Sequence, residues 1–176
     1  MSKKFYIILF AILVIAGIIL VLNASQYYDS PEAVVLGRQK SAHPQIITTA
    51  MSKEGHPVVF FTSDTYVMTA MSFTESGTEQ KRKWKFQEAV SFKAQQVVNN
   101  NNHEKTHTPA NAGYSQKLDQ YRYIYWGVAL DECINNYTIN EKEITTHEVA
   151  VDGQKYILWY IFEDHLVSDP TITEKG

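Results

Sequence analysis

FYIILFAILVIAGIILVL, residues 5–22, carries no charged side chain, and Gly17 is its only interruption. Coiled as a helix, an apolar run of about twenty residues crosses the hydrocarbon core of a bilayer with every backbone N–H and C=O paired internally. The run has no polar face, which argues against an amphipathic core helix. It divides the chain into an N-terminus at 1–4, an anchor at 5–22, a linker at 23–29 and the domain that follows. Lys3 and Lys4 precede the run, whereas Asp29 and Glu32 follow it and the next cation is Arg38. That asymmetry predicts a single-pass protein of the cell membrane, with a cytoplasmic N-terminus and an extracellular C-terminal domain. A cleaved signal peptide, with Ala24 at the cut, is the competing reading. A signal's apolar region is normally shorter, and Leu22 fits poorly just before such a cut. No cysteine closely follows the run, so a bacterial lipid anchor is excluded.

The remainder of the 176 residues suffices for one domain with a core of its own. At 44% hydrophobic and 12% aromatic, the chain is too rich in large side chains to be disordered. A net charge of -3, with Lys3 and Lys4 outside the domain, argues against a nucleic-acid partner. The one basic cluster, Lys81, Arg82, Lys83 and Lys85, alternates with Trp84 and Phe86. It reads as the solvated edge of a strand, with a nucleic-acid or anionic-lipid patch as the alternative. Cys133 is the only cysteine, so no intrachain disulfide forms, and it reads as a small core residue on a strand-like run. The chain holds no glycine-rich phosphate loop, G-x-S-x-G elbow or calcium loop, and no cofactor is expected.

Ser30-Pro31-Glu32-Ala33 has the grammar of a helix start, with Ser as N-cap, Pro in the first turn and an acid near the positive end of the dipole. The helix should end near Gln39 and pack Ala33, Val34 and Leu36 on a sheet. Strand periodicity follows. Residues 46–51 and 57–62 flank a turn containing Gly55 and predict a hairpin. A third strand covers residues 66–73, Gly77 turns the chain, and a fourth begins at Trp84; residues 88–98 read either as its continuation or as helix. Residues 95–120, with four asparagines from Asn99, Pro109 and Gly113, read as a long mobile excursion. Strands are expected at 121–130, 134–139, 144–151 and 154–162, with Asp152-Gly153 as the clearest hairpin signal. The folded domain should span 30–165, and residues 166–176 should form a flexible tail. The expected class is α+β: an N-terminal transmembrane helix, one short helix and a mainly antiparallel, meandering sheet of about six or seven strands.

His103-Glu104-Lys105-Thr106-His107 matches H-E-x-x-H. On a helix, His103 and His107 would share a face and bind zinc while Glu104 activates the metal-bound water. The setting is wrong for that chemistry. Weak helix formers precede the motif, Pro109 follows it, no variable position is apolar, and the residues directly after His107, Thr-Pro-Ala-Asn-Ala-Gly, hold no third histidine. A chain of this composition carries the pattern by chance about once in a hundred, so neither a catalytic Glu104 nor a metal site is the leading reading. Glu132 lies at a distance where a third ligand could come from, and Asp131-Glu132 reads as a solvated turn. The aromatic run YRYIYWGVAL poses the other question, because alternation puts Tyr121, Tyr123 and Tyr125 on one face and Ile124 and Trp126 on the other. These aromatics either pack in the core or present a ligand-binding platform of Tyr121, Tyr123, Tyr125 and Trp126.

Ser30-Pro31-Glu32-Ala33, Lys83-Trp84-Lys85 and Tyr125-Trp126-Gly127-Val128, in that order after an anchor, resemble small uncharacterised membrane-anchored or lipoprotein-type extracytoplasmic proteins of Bacillus-like Gram-positive bacteria. The resemblance implies a compact β-rich domain in the cell envelope and assigns no activity. The leading expectation is a membrane-anchored extracytoplasmic binding or envelope-accessory module. Its partners would be the membrane, through residues 5–22, and an envelope protein or glycan. A zinc-dependent peptidase using His103, Glu104 and His107 is the first alternative. A structural tether for a membrane partner, with helix contacts through Ala16 and Gly17, is the second.

Overall fold

The computed structural model describes residues 3–24, 27–78, 81–102, 113–120, 122–130 and 132–175. Helix α1 spans Lys3–Ala24, and the described residues after it form mainly antiparallel strands with two short helices, an α+β arrangement. Side chains of α1 are described at positions 6, 8 and 10–18, and taken alone the described residues supply no helix long and apolar enough to cross a membrane.

Helix α2 (Pro31–Arg38) starts as its sequence predicts. Ser30 is extended and its hydroxyl accepts the Ala33 N–H at 3.1 Å, while Pro31 sits where no N–H is needed. Pro31, Val34 and Val35 are the buried residues, at the i, i+3, i+4 spacing of one face. The expected packing side is corrected here: Leu36 is exposed, because two residues beyond Val34 it lies on the opposite side of the helix.

Strands β1 (Gln45–Met51), β2 (Pro57–Thr62), β3 (Met68–Thr78) and β4 (Lys81–Phe92) form a meander in that spatial order, and Gly55 turns β1 into β2 at φ 87. Helix α3 (Ala94–Asn102) follows. The chain then runs through β5 (Tyr114–Lys117), β6 (Tyr123–Ala129), β7 (Tyr137–Ile139), β8 (Lys142–Glu143), β9 (Thr145–Val151), β10 (Gln154–Glu163) and β11 (Ile172–Glu174). Four of these form a second sheet in the order β5-β6-β10-β9, and β11-β7-β8 form a small third. Asp152 (φ 52) and Gly153 (φ 78) make the two-residue turn between β9 and β10 that the Asp-Gly pair predicts.

Side-chain alternation threads three apolar layers through this stack. Val58 and Phe60 meet Trp126, Leu158 and Tyr160 between the first and second sheets. Val59 and Phe61 face the other way and, with Met71, Phe73 and Trp84, receive Val34 and Val35 of α2. On the far face of the second sheet, Tyr125, Ile157, Trp159 and Ile161 pack under Ile134, Ile139 and Val167. The expected single sheet is therefore corrected to two packed four-stranded sheets with a third small one. Hairpin signals fix local pairings, but strands such as β2 and β6, apolar on both faces, need a layer on each side.

Other expectations change with it. Residues 95–120 are not one irregular excursion: Asn99–Asn102 lie in α3, whose Val97 is buried between the sheets, and β5 pairs with β6. Burial of one anchoring face outweighs weak propensity. Gly77 lies within β3 opposite Arg82. Residues 134–139 begin as a 3-10 turn (Glu132–Asn136) that carries Cys133, half-buried and off any strand. The C-terminal segment docks, since Val167 is buried and β11 pairs with β7.

Candidate functional site

Tyr125 and Trp126 emerge on opposite faces of β6, as alternation requires, and both faces are covered. Trp126 is fully buried, with its ring 5.3 Å from Phe60 and 5.1 Å from Phe92, edge-on to each. Tyr125 packs at 5.5 Å against Trp159. Burial pushes the Tyr125 phenol up to about 12, partly countered by a backbone hydrogen bond from Gly113. Trp159 lies against Gly127, where a Cβ would come within 2.5 Å of its ring, and at Gly113 a Cβ would meet Tyr125 at 2.4 Å. The aromatic-Gly pattern is thus a packing device. These two residues present no platform to solvent. Tyr121 lies outside the described residues, and Tyr123, half-buried, is the one member of the four seen to border a cleft.

That cleft, of about 460 Å³, lies at one end of the stacked sheets. Ser52 and Glu54 reach it from the β1–β2 turn, Arg122 from the start of β6, Lys142 from β8, and Glu163 and Asp164 from the end of β10. Arg122 Nε lies 3.1 Å from Glu54 Oε2, and its Nη1 lies 2.9 Å from Asp164 Oδ1. Glu163 is only 3% exposed and accepts from Lys142 Nζ at 2.8 Å and from Asn140 Nδ2 at 2.9 Å. Asn140, at φ 51 in the β7–β8 turn, accepts the Thr171 N–H and donates its own N–H to the Thr171 carbonyl. One carboxylate therefore borders the cleft and holds the third sheet to the second. His56 Nε2 lies 2.7 Å from Asp119 Oδ2 and ties the same turn to the β5–β6 loop.

The lining charges cancel, with Lys53, Arg122 and Lys142 against Glu54, Glu163 and Asp164. Both Glu163 oxygens are engaged and Arg122 is held between two carboxylates, so the cleft offers fixed hydrogen-bonding groups, and no nucleophile–base pair is seen among its described lining residues. A second cleft, of about 480 Å³, is bordered by His43, Asp64 and Asp152. Its His43–Asp64 pair, at 2.8 Å, is largely exposed and contributes little.

His103, Glu104 and His107 lie outside the described residues. Helix α3 reaches Asn102, directly before them, so the expectation that the asparagines resist helix is corrected. Among the described residues no group of three or more potential metal ligands converges. Glu132 is held by Lys155, whose ammonium is pushed up by hydrogen bonds to Glu132 and Glu148, and Asp131 lies outside the described residues. The sequence reading missed Arg122, Lys142, Glu163 and Asp164. The available signal was that the most apolar runs end in charge, with Arg122 just before β6 and Glu163-Asp164 closing β10. No known protein family, curated protein or solved structure matches the chain.

Proposed function

We propose that this chain is a membrane-anchored, extracytoplasmic binding or envelope-accessory module, with α1 as its single span and the stacked-sheet domain outside the cell. The observation that carries the reading is the exposure of α1. Residues 10–18 are exposed without a gap, more than two full turns, so none of that stretch rests on the domain. A helix of 22 residues is about 33 Å long, enough for a hydrocarbon core of about 30 Å. Lys3 and Lys4 set its orientation. The ligand surface is the cleft at Tyr123, Arg122 and Glu163, whose cancelled charge suits a polar, uncharged or zwitterionic ligand such as a glycan or peptide of the envelope. An alkaline carbonate wash of membranes from cells making the full chain tests the anchor. The chain should stay in the pellet, and release into the supernatant would sink the reading.

One observation favours the zinc-peptidase alternative: α3 is helical up to Asn102, so the segment entering His103-Glu104-x-x-His107 is helical. Stoichiometric zinc in the purified full chain, lost in the His103→Ala, His107→Ala variant, would move the function to peptide hydrolysis. Absence of zinc after supplementation would retire it.

A further inference from the structure

We propose that the start of β4, Arg82 to Lys85, with Tyr27, Tyr28 and Asp29 of the segment that follows α1, is a docking surface for anionic headgroups of the membrane that holds the anchor; this rests on the membrane-spanning reading of α1. The link is fixed to the domain. Tyr28 and Trp84 exchange backbone hydrogen bonds of 2.9 and 2.8 Å, forming an antiparallel bridge at the sheet edge. The Tyr28 ring also fills the space over Gly37 of α2, where a Cβ would lie 2.5 Å from it. Tyr27 is the third residue after Ala24, so the chain between them reaches at most about 11 Å. Wherever α1 ends, this end of β4 is held close to it.

What lies there is cationic. Trp84 and Phe86 turn toward the layer beneath α2, and alternation places Lys83 and Lys85 on the other face beside Asp29 and Tyr27. Lys85 Nζ sits 5.9 Å over the Tyr27 ring, Lys83 pairs with Asp29, and Arg82 pairs with Glu75 at 3.2 Å. The Arg82 and Lys83 side chains are 43% and 48% exposed. Ion pairs this exposed are weak and exchange readily for phosphate oxygens. Tyr27, itself exposed, is the aromatic type that settles at headgroup level. The whole chain carries -3, so an anionic surface that attracts this end repels much of the rest, which orients the domain.

The test uses the full chain in lipid nanodiscs of phosphatidylcholine alone or with one part in three of phosphatidylglycerol. Acylation of individual lysines by a small amine reagent is followed by mass spectrometry, with Lys155 as reference. A surface potential of about -30 mV lowers the unprotonated fraction of a nearby amine about threefold. Lys83 and Lys85 should react about threefold more slowly in anionic discs, recover in high salt, and leave Lys155 unchanged. Equal rates in both discs, with the chain embedded, would overturn the docking surface alone. Equal slowing in neutral discs on adding soluble polyphosphate would assign the patch to a soluble polyanion and also overturn it. A chain that does not enter the discs would overturn this proposal and the anchor together.

Discussion

Helix α1 and the stacked sheets are both rich in large apolar side chains, and these meet opposite surroundings. Phe10 is 70% exposed and Leu13 62%, whereas Phe60, Trp126 and Trp159 are at 0%. Residue type does not explain the contrast, because aliphatic and aromatic side chains occur in both. What differs is periodicity. In the sheets, alternate residues on β2, β6 and β10 serve two different layers and each finds protein opposite it. In α1 the described residues 10–18 are exposed on every side of the helix. Apolar surface without protein cover is stable where the solvent is itself apolar.

The contrast predicts that each region can be broken alone. The largest effect is expected from Ile12→Arg with Ile15→Arg. Each arginine at mid-span costs about 3 kcal/mol of insertion, so the full chain should leave carbonate-washed membranes while the domain's melting temperature stays put. Trp126→Ala does the reverse. Loss of a fully buried indole should destabilise the domain by about 3–5 kcal/mol, read by denaturant melting, with membrane retention unchanged. Gly127→Ala sharpens the account of the two-faced sheet. A Cβ within 2.5 Å of the Trp159 ring forces it aside, for a loss of about 1–3 kcal/mol.

The smallest effect is on acidification. Burial alone would raise the Glu32 carboxyl, but hydrogen bonds from Thr49, its own backbone N–H and Ser30 outweigh it and hold the group below its ordinary 4.5. A carboxyl depressed in the folded state adds stability above its unfolded value and loses it as pH falls through the folded value. Melting curves below pH 4.5 should therefore fall slightly more steeply for the natural chain than for Thr49→Val.

Local features were legible in the sequence and layered ones were not. Ser30-Pro31 announced α2, and Asp152-Gly153 announced the β9–β10 hairpin, because a cap and a left-handed turn are decided within a few residues. Strand β5 escaped notice because its buried residue is Gln116, whose amide donates to Ser72 Oγ and the Glu88 carbonyl of the facing sheet. A polar core residue whose amide N–H donates across 44 positions of sequence leaves no hydrophobic pattern. The cleft was illegible for a related reason. Ser52, Arg122, Lys142 and Glu163 stand at strand ends that meet only once the sheets stack. The aromatic run left core packing and a surface platform both open because one strand cannot reveal that both of its faces are covered.

Topology tests the central claim most directly. The full chain carrying Cys133→Ser and Lys155→Cys, with its thiol at an exposed position at the start of β10, is produced in cells and treated with a membrane-impermeant maleimide. The account predicts labelling of intact cells equal to that after lysis. A thiol that reacts only once the cells are broken open would place the domain in the cytoplasm and contradict it.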